Sequence, residues 1–422
     1  MLSPSDNVAI IGAGLAGLAA ALSLHDLSIK CSVYEMRDTN AAPPKSSGAL
    51  MLAPNALKIL DHLGVYSDIK QKSYTFEYVY YKDADEHTID KYPFGSESSF
   101  GYKAVRIYRQ DLLDVLYAAC AKRCIPVHFG KKFAAVVDES DVNVTFSFTD
   151  GSTETASLLI GADGIHSKLR DYVIPGIEKK FVGIAALTWE TPTKQLRIPE
   201  EKDYKFPVTV LTANGAFVLA PQRTDGSAML AGTQIAIGEK DREGWNSFMF
   251  DKEALVARAT RNVDVWPDIA KSSLENIDRD SMNVWPFYTI PRLSSWASPN
   301  YQRVVILGDA AHAIPPTTGQ GASQAFEDVM SLALILSTLK DSSKLKWENA
   351  LQFWQKMRQD RIDDLLVLTK QLNNKRLPLD EQKLLPKEDL WFDQSEKNPN
   401  QMAWLYAPRI EEAIKCWADR AS

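Results

Sequence analysis

The chain has 422 residues, enough for two or three domains sharing a large core, and its 45% hydrophobic and 24% charged content is that of a globular chain with a packed interior. A formal net charge of −6 and the lack of a Lys/Arg-rich run give no basis for a nucleic-acid partner. No apolar run reaches the ~18 residues a membrane helix needs, and no basic-then-apolar leader opens the sequence, so neither a transmembrane segment nor a secretory signal is expected.

The four cysteines, Cys31, Cys120, Cys124 and Cys416, form no CxxC pair and no metal-spaced cluster with histidine. This predicts reduced thiols, no metal site and a cytoplasmic location. Val8 to Ile11 reads as a short apolar strand, followed directly by Gly12-Ala13-Gly14-Leu15-Ala16-Gly17 and an Ala/Leu-rich helix, Leu18 to Leu24. A second strand, Cys31 to Tyr34, ends at Glu35. Gly12 suits a tight turn, Gly14 the close approach of a pyrophosphate, and Gly17 tight helix packing. Glu35 stands where an acid hydrogen-bonds an adenosine ribose, and an acid there disfavours a 2′-phosphate. This order of parts points to the adenosine of FAD or NAD; the plain alternative is a tight turn with a surface Glu.

Ser46-Ser47-Gly48-Ala49-Leu50 is a small-residue loop leading to Pro54-Asn55-Ala56 and a helix that ends near Gly64. Small side chains let a flat ligand lie close to backbone, and they are also ordinary in loops. Arg109 opens a helix to Ala119 with Leu112, Leu113 and Leu116 on one face, where it reaches either a phosphate or flavin edge or solvent. Val142 to Phe148 alternates, Thr149-Asp150-Gly151-Ser152 turns, and Thr153 to Ile160 returns, a hairpin pattern. The return ends at Asp163, placed before a helix as a ligand-binding carboxylate, an N-cap, or both.

From Phe181 to Gln234 the pattern is strands with turns, including an Asn214-Gly215 hairpin signal, which predicts a second, mainly antiparallel layer. Its face toward the cofactor would be the substrate floor. Trp189, Phe217, Phe287 and Tyr288 are the aromatic candidates for substrate contact, with core packing as the alternative for each. Val304 to Leu307 then delivers Asp309 at the carboxyl end of a buried strand, where open α/β sheets bind ligands. Pro315 and Pro316 stiffen a turn, and Gly319-Gln320-Gly321 opens a helix whose unpaired N–H groups and positive dipole end suit an anion. His312 is read as structural rather than as a base. Beyond Gly321 the chain is largely helical, with charged surface stretches at Asp360 to Asp364 and Lys383 to Glu396.

These motifs, Gly12 to Gly17 with Glu35, Asp163-Gly164-Ile165-His166-Ser167-Lys168-Leu169-Arg170, and Gly308-Asp309-Ala310-Ala311-His312 with Pro316 and Gly319-Gln320-Gly321, resemble those of the class A flavoprotein monooxygenases. That aromatic-hydroxylase group includes salicylate hydroxylase and the tetracycline-inactivating monooxygenases. The resemblance covers most of Val8 to Leu339 and implies an α/β fold. A Rossmann-type FAD-binding domain with a parallel sheet would take residues 1–180 and 285–345, a mainly antiparallel β-sheet substrate domain 181–284, and a C-terminal helical segment 346–422. It implies non-covalent FAD, NADPH or NADH as co-substrate, dioxygen, and an aromatic or other electron-rich substrate. That substrate would be hydroxylated or epoxidised through a flavin C4a-hydroperoxide, in secondary metabolism; the oligomeric state stays open, with a monomer expected.

Carried over residue by residue, Gly12, Gly14, Leu15, Ala16, Gly17 and Glu35 would hold the adenosine diphosphate, and Arg109 the FAD. Arg37 would meet the adenosine or stay on the surface, and Gly48 would belong to the loop beside the flavin. Asp163 would lie near the pyrophosphate and pyridine nucleotide, and Asp309 on the ribityl chain. Pro316 and the backbone of Gly319, Gly321 and Ala322 would meet the pyrimidine side of the flavin. Ser323 departs from the Asn the family often has, and Met36 sets Arg37 two positions past Glu35. No side chain is assigned as catalytic, because the cofactor carries the chemistry. The rivals are a flavin halogenase or reductase of the same superfamily, which Trp285 to Pro291 resembles only loosely, and a non-catalytic FAD-bearing protein that sequesters a ligand.

Overall fold

The computed structural model describes residues 7–38, 48–342, 344–394, 397–398 and 400–421, so Ser46, Ser47 and Glu396 lie outside the described residues. Five short strands pair in parallel in the order Val304–Ile306, Leu158–Gly161, Asn7–Ile11, Lys30–Tyr34 and Val127–His128. Their Val/Ile/Leu runs are buried among helices, as a parallel sheet requires. Asp309, Asp163, the glycine loop and Glu35 therefore follow four neighbouring strands at one edge of the sheet, all at carboxyl ends.

The expected hairpin divides. Val144–Phe148 pairs antiparallel with Thr153–Ala156, but the chain then steps at Ser157, and Leu158–Gly161 enters the parallel sheet instead. A single apolar run thus serves two sheets.

The second layer is a seven-stranded sheet in the order Asn283–Thr289, Lys180–Pro192, Ala228–Ala236, Gly215–Pro221, Val208–Thr212, Tyr78–Lys82 and Thr88–Pro93, antiparallel except where Val208–Thr212 meets Tyr78–Lys82. This corrects the expected boundaries. Two strands from within 1–180 belong to this sheet, and its edge strand begins at Asn283 rather than ending at residue 284. The physical reason is an edge: without Tyr78–Lys82, the backbone of Val208–Thr212 would stand unpaired.

Alternation sends Ala185, Leu187, Trp189, Val208, Val210, Phe217, Leu219, Met229 and Ala231 to one face, where they form a core with Leu255, Trp266 and Ile269 of the helical segment 242–275. The other face turns to the nucleotide-binding unit, and the Tyr108 hydroxyl donates to Glu190 Oε2 across that gap at 2.6 Å. A three-stranded sheet, Ala49–Leu52, Ala104–Tyr108 and Tyr74–Phe76, lines the junction. No helix among the described residues is long and apolar enough to cross a membrane.

A buried ionic cluster ties the C-terminal helices to this frame. Arg358, wholly inaccessible on helix Trp347–Asn374, donates from Nε to Asp328 Oδ1 at 2.7 Å, from Nη1 to Glu327, and from Nη2 to Gln324 Oε1 at 2.7 Å. Arg361 adds two donations to Glu327, at 2.7 and 2.8 Å. Burial alone would raise both carboxyls, but the Arg358 charge, with Arg361 on Glu327 and His312 on Asp328, overcomes it and holds them below their ordinary 4.5 and 3.8. Their stabilisation is therefore complete above those values and is lost as pH falls through the lower folded ones. Replacing Arg358 by Met removes the cation that two buried carboxylates share and leaves Arg361 and His312 alone to balance them, so equilibrium unfolding of Arg358→Met should show a loss of about 3–5 kcal/mol. An unchanged midpoint would contradict this account.

Candidate active site

The glycine loop has the geometry its spacing predicts. Gly12 adopts φ +103°, and a Cβ there would lie 2.6 Å from the Ala162 carbonyl oxygen; one on Gly17 would lie 1.8 Å from the Gly12 oxygen. At Gly14 a Cβ would meet nothing within 4 Å. Gly14 is also the N-cap of helix Leu15–Asp26, which has no side-chain cap and no acid in its first turn. That helix end, with Ala16 partly exposed beside it, is an open cradle of N–H groups. Glu35 is buried, with Oε2 accepting from the Ala13 N–H at 2.9 Å and Oε1 accepting from the Arg37 N–H at 2.9 Å and Arg37 Nε at 3.3 Å. Tyr117, which the sequence reading missed, donates to the Ala13 carbonyl at 3.0 Å and pins the loop from the other side.

Arg109 lies within the fields of Arg37, Asp309 and Tyr117; burial, with Arg37 beside it, lowers its pKa. Its backbone N–H donates to the Gly48 carbonyl at 3.0 Å, so the described end of the small-residue loop sits beside it. Asp309 is exposed at the end of its strand beside the starts of both helices, yet the surrounding protein partly desolvates it, and this desolvation raises its pKa against the nearby His312 and Arg109. Its carboxylate has no hydrogen-bond partner among the described residues.

Asp163 supports the start of the next helix, whose N-cap is Ser167 with its hydroxyl accepting from the Arg170 N–H at 2.9 Å. Oδ2 accepts from the N–H groups of Lys168 and Leu169 at 2.9 and 3.4 Å and anchors the next helix, while Oδ1 is buried without a partner. His312 is structural: buried, its Nε2 is 2.5 Å from Asp328 Oδ2, the same oxygen that accepts from the Gly308 N–H at 2.9 Å.

Helix Gly321–Asp341 likewise begins without a side-chain cap or first-turn acid, and a Cβ on Gly321 would meet nothing within 4 Å. Gly319 takes φ +63°, with Phe94 2.7 Å and Met51 3.6 Å from where its Cβ would be. Pro316 is exposed, and Ala322 is partly so. Asn55 donates to Gln320 Oε1 at 3.1 Å and Glu327 Oε1 at 2.7 Å, fixing this turn. Around it, Asn55 Oδ1, Thr318 Oγ1, Gln320 Nε2 and Ser323 Oγ are buried without partners. Four such orphans in one neighbourhood fit a ligand edge carrying both N–H and carbonyl groups, as a flavin pyrimidine ring does. The residues present thus fit FAD.

Three of the aromatic substrate candidates are corrected. Trp189 and Phe217 point into the helix-covered core, where Trp189 Nε1 donates to the Ser273 carbonyl at 3.1 Å and Phe217 packs on Trp189 and Trp266. Tyr288 shares that side of its strand, accepting from Trp245 Nε1 at 3.0 Å beneath the Lys179 ammonium. Phe287, on the opposite side of the same strand, is buried and is the one that remains. The error was one of register, because a shift of one residue exchanges the faces.

A family model described as an FAD binding domain matches residues 6–344, and the chain belongs to that family. The 3-amino-4-hydroxybenzoate 2-monooxygenase PtmB3 of Streptomyces platensis is 27% identical over 364 residues, 85% of each chain. The 6-hydroxynicotinate 3-monooxygenase of Bordetella bronchiseptica is 26% identical over 346 residues, 78% of this chain and 82% of that one. In fold, Klebsiella pneumoniae HpxO complexed with FAD and uric acid superposes with a TM-score of 0.72 at 22% identity, over 99% of this chain and 96% of that one. The protein is a flavoprotein monooxygenase of the aromatic-hydroxylase type.

Two glycines separate folding from cofactor binding. Gly14→Ala should leave the thermal midpoint unchanged but weaken FAD binding by at least about tenfold in a fluorescence titration, since the new methyl occupies only the open cradle. Gly17→Ala, whose Cβ would overlap backbone, should lose both.

Proposed function

We propose that the protein uses NADH or NADPH and dioxygen to insert one oxygen atom into an aromatic or other electron-rich small molecule, by hydroxylation or epoxidation. Substrate, dioxygen, NAD(P)H and a proton go to oxygenated product, NAD(P)+ and water. The observation that carries this reading is the pair of uncapped helix ends flanking an unpartnered Asp309 in a cleft roofed by a second sheet. Bound FAD supplies the two-electron activation of dioxygen.

The chain's own residues bind, orient and shield. Glu35 takes the adenosine ribose, with Arg37 held against it; the Gly14 helix end and Arg109 take the pyrophosphate. Asp309 accepts from ribityl hydroxyls, and Asp163 secures the turn where the pyridine nucleotide approaches. The start of helix Gly321–Asp341 offsets negative charge on the reduced ring by about 1–2 kcal/mol. Thr188, Glu190, Val218, Leu230 and Phe287, on the cleft side of the seven-stranded sheet, form the substrate floor and keep water from the reacting centre. Two of the relatives are named for oxygenating aromatic carboxylates, which favours a planar substrate.

The isolated protein should be yellow, and Asp309→Ala should be purified without flavin absorbance. A substrate should accelerate NAD(P)H oxidation and give a product one oxygen heavier by mass spectrometry. Oxidation that no tested compound accelerates, with peroxide as its only product, would favour the ligand-sequestering reading instead.

A further inference from the structure

In strand Ala104–Tyr108, Val105 and Ile107 enter the nucleotide-binding core, while Ala104, Arg106 and Tyr108 face the other way. A charged residue in the middle of an apolar strand needs a reason. Arg106 is 5% exposed. Its only side-chain hydrogen bond among the described residues is from Nε to Gln222 Oε1, at 3.0 Å, so both terminal Nη groups are left without a partner.

Among the described residues no carboxylate pairs with it. Glu190, on the facing sheet, accepts from the neighbouring Tyr108 hydroxyl at 2.6 Å and lies 3.6 Å from Arg223 Nη2. Burial lowers the Arg106 pKa to about 10, which leaves the side chain cationic at neutral pH. Its position relative to the cofactor loop follows from register. Arg106 pairs directly with Met51 on one side and Tyr74 on the other, so the three side chains share a face. Met51 Cβ is 3.6 Å from where a Cβ on Gly319 would be, so this face borders the loop that receives the flavin. The guanidinium thus lies at the junction of the cofactor loop and the substrate floor, with Gln222 orienting it through Nε and its two-pronged end free.

We propose that Arg106 is the anion subsite of this enzyme, receiving a carboxylate carried on the aromatic substrate through its two Nη groups. This rests on the monooxygenase reading of the same cleft. Two parallel N–H donors match a carboxylate in a way an ammonium does not. Arg106 is here a substrate-binding residue, and Gln222 is a positioning residue that acts through it.

The test uses the FAD-loaded protein and two probes of equal shape, salicylate and its uncharged amide, salicylamide. Binding is read from perturbation of the flavin absorbance, and turnover from NAD(P)H oxidation. Wild type should bind salicylate at least about tenfold more tightly than salicylamide. Arg106→Met should lose that preference, by weakening the acid and not the amide, while keeping its FAD content. Because the change removes an unpaired buried charge, the thermal midpoint should hold or rise, whereas loss of a merely structural arginine would lower it. Arg106→Lys should bind the acid with intermediate affinity.

Equal binding of acid and amide by wild type, no binding of either at millimolar concentration, or an unchanged preference in Arg106→Met would each overturn the proposal. An acid preference that depends on Arg106 without any stimulated NAD(P)H oxidation would sustain the subsite and count against the proposed NAD(P)H-driven oxygenation of such acids.

Discussion

A guanidinium wholly removed from water holds the cofactor-facing loop in place. Arg358 compensates Glu327 and Asp328, and through Asp328 its influence passes to the Gly308 N–H and to His312, the two ends of the segment that carries Asp309. Gly308 can take this position only because it has no side chain: at φ +59°, a Cβ would lie 3.2 Å from Ala325 Cβ and 3.7 Å from Ala16 Cβ. Strand end, glycine-loop helix and cofactor-facing helix converge on that one residue. Both anions share this one cation, with Arg361 and His312 as the remaining partners, so the cluster enforces one arrangement of the loop rather than merely adding stability.

Beside that anchored frame, two helices whose first turns approach Gly308 begin without side-chain caps. A protein that only needed these helices to be stable would place Ser, Thr or Asp at Gly14 and Gln320. Here the caps are absent, and Thr318, Gln320, Ser323 and Asn55 each keep a buried polar atom without a partner. Such groups cost stability until something hydrogen-bonds them. The same groups that weaken the free protein are those through which a bound cofactor stabilises it by mass action.

The parts legible in the sequence are those whose meaning is local. The turn at Gly12, the packing at Gly17, the acid after the second strand and the aspartates at strand ends follow from spacing along a few residues. The rest depends on partners far away in the chain. Trp189, Phe217 and Tyr288 were misplaced because alternation gives two faces without saying which one meets the helices. Tyr78–Lys82 was missed as a sheet partner because its neighbour, Val208–Thr212, lies more than a hundred residues on. Asn55, Tyr117, Asp328 and Arg358 carry no motif at all. Arg106 did offer a signal, a lone charge between Val105 and Ile107, but its meaning needed the cross-chain partner Gln222.

The sheet that roofs the cleft explains why its large aromatics lie where they do. Trp189, Phe217 and Trp266 fill the helix-covered side, so the bulk that makes that layer rigid is spent away from the ligand. The cleft side of the same strands presents Ala186, Thr188, Val218 and Ala220 among the larger Glu190 and Leu230, and at Gly232 the backbone itself, where a Cβ would lie 2.7 Å from the Leu187 carbonyl oxygen. Small side chains leave room for a flat ring, while packing behind them keeps the floor from collapsing into that room. The two walls also differ in chemistry. One carries uncapped backbone N–H groups and strand-end carboxylates, and on the other the Tyr108, Glu190 and Arg223 group satisfies Glu190 and leaves the Arg106 charge unbalanced.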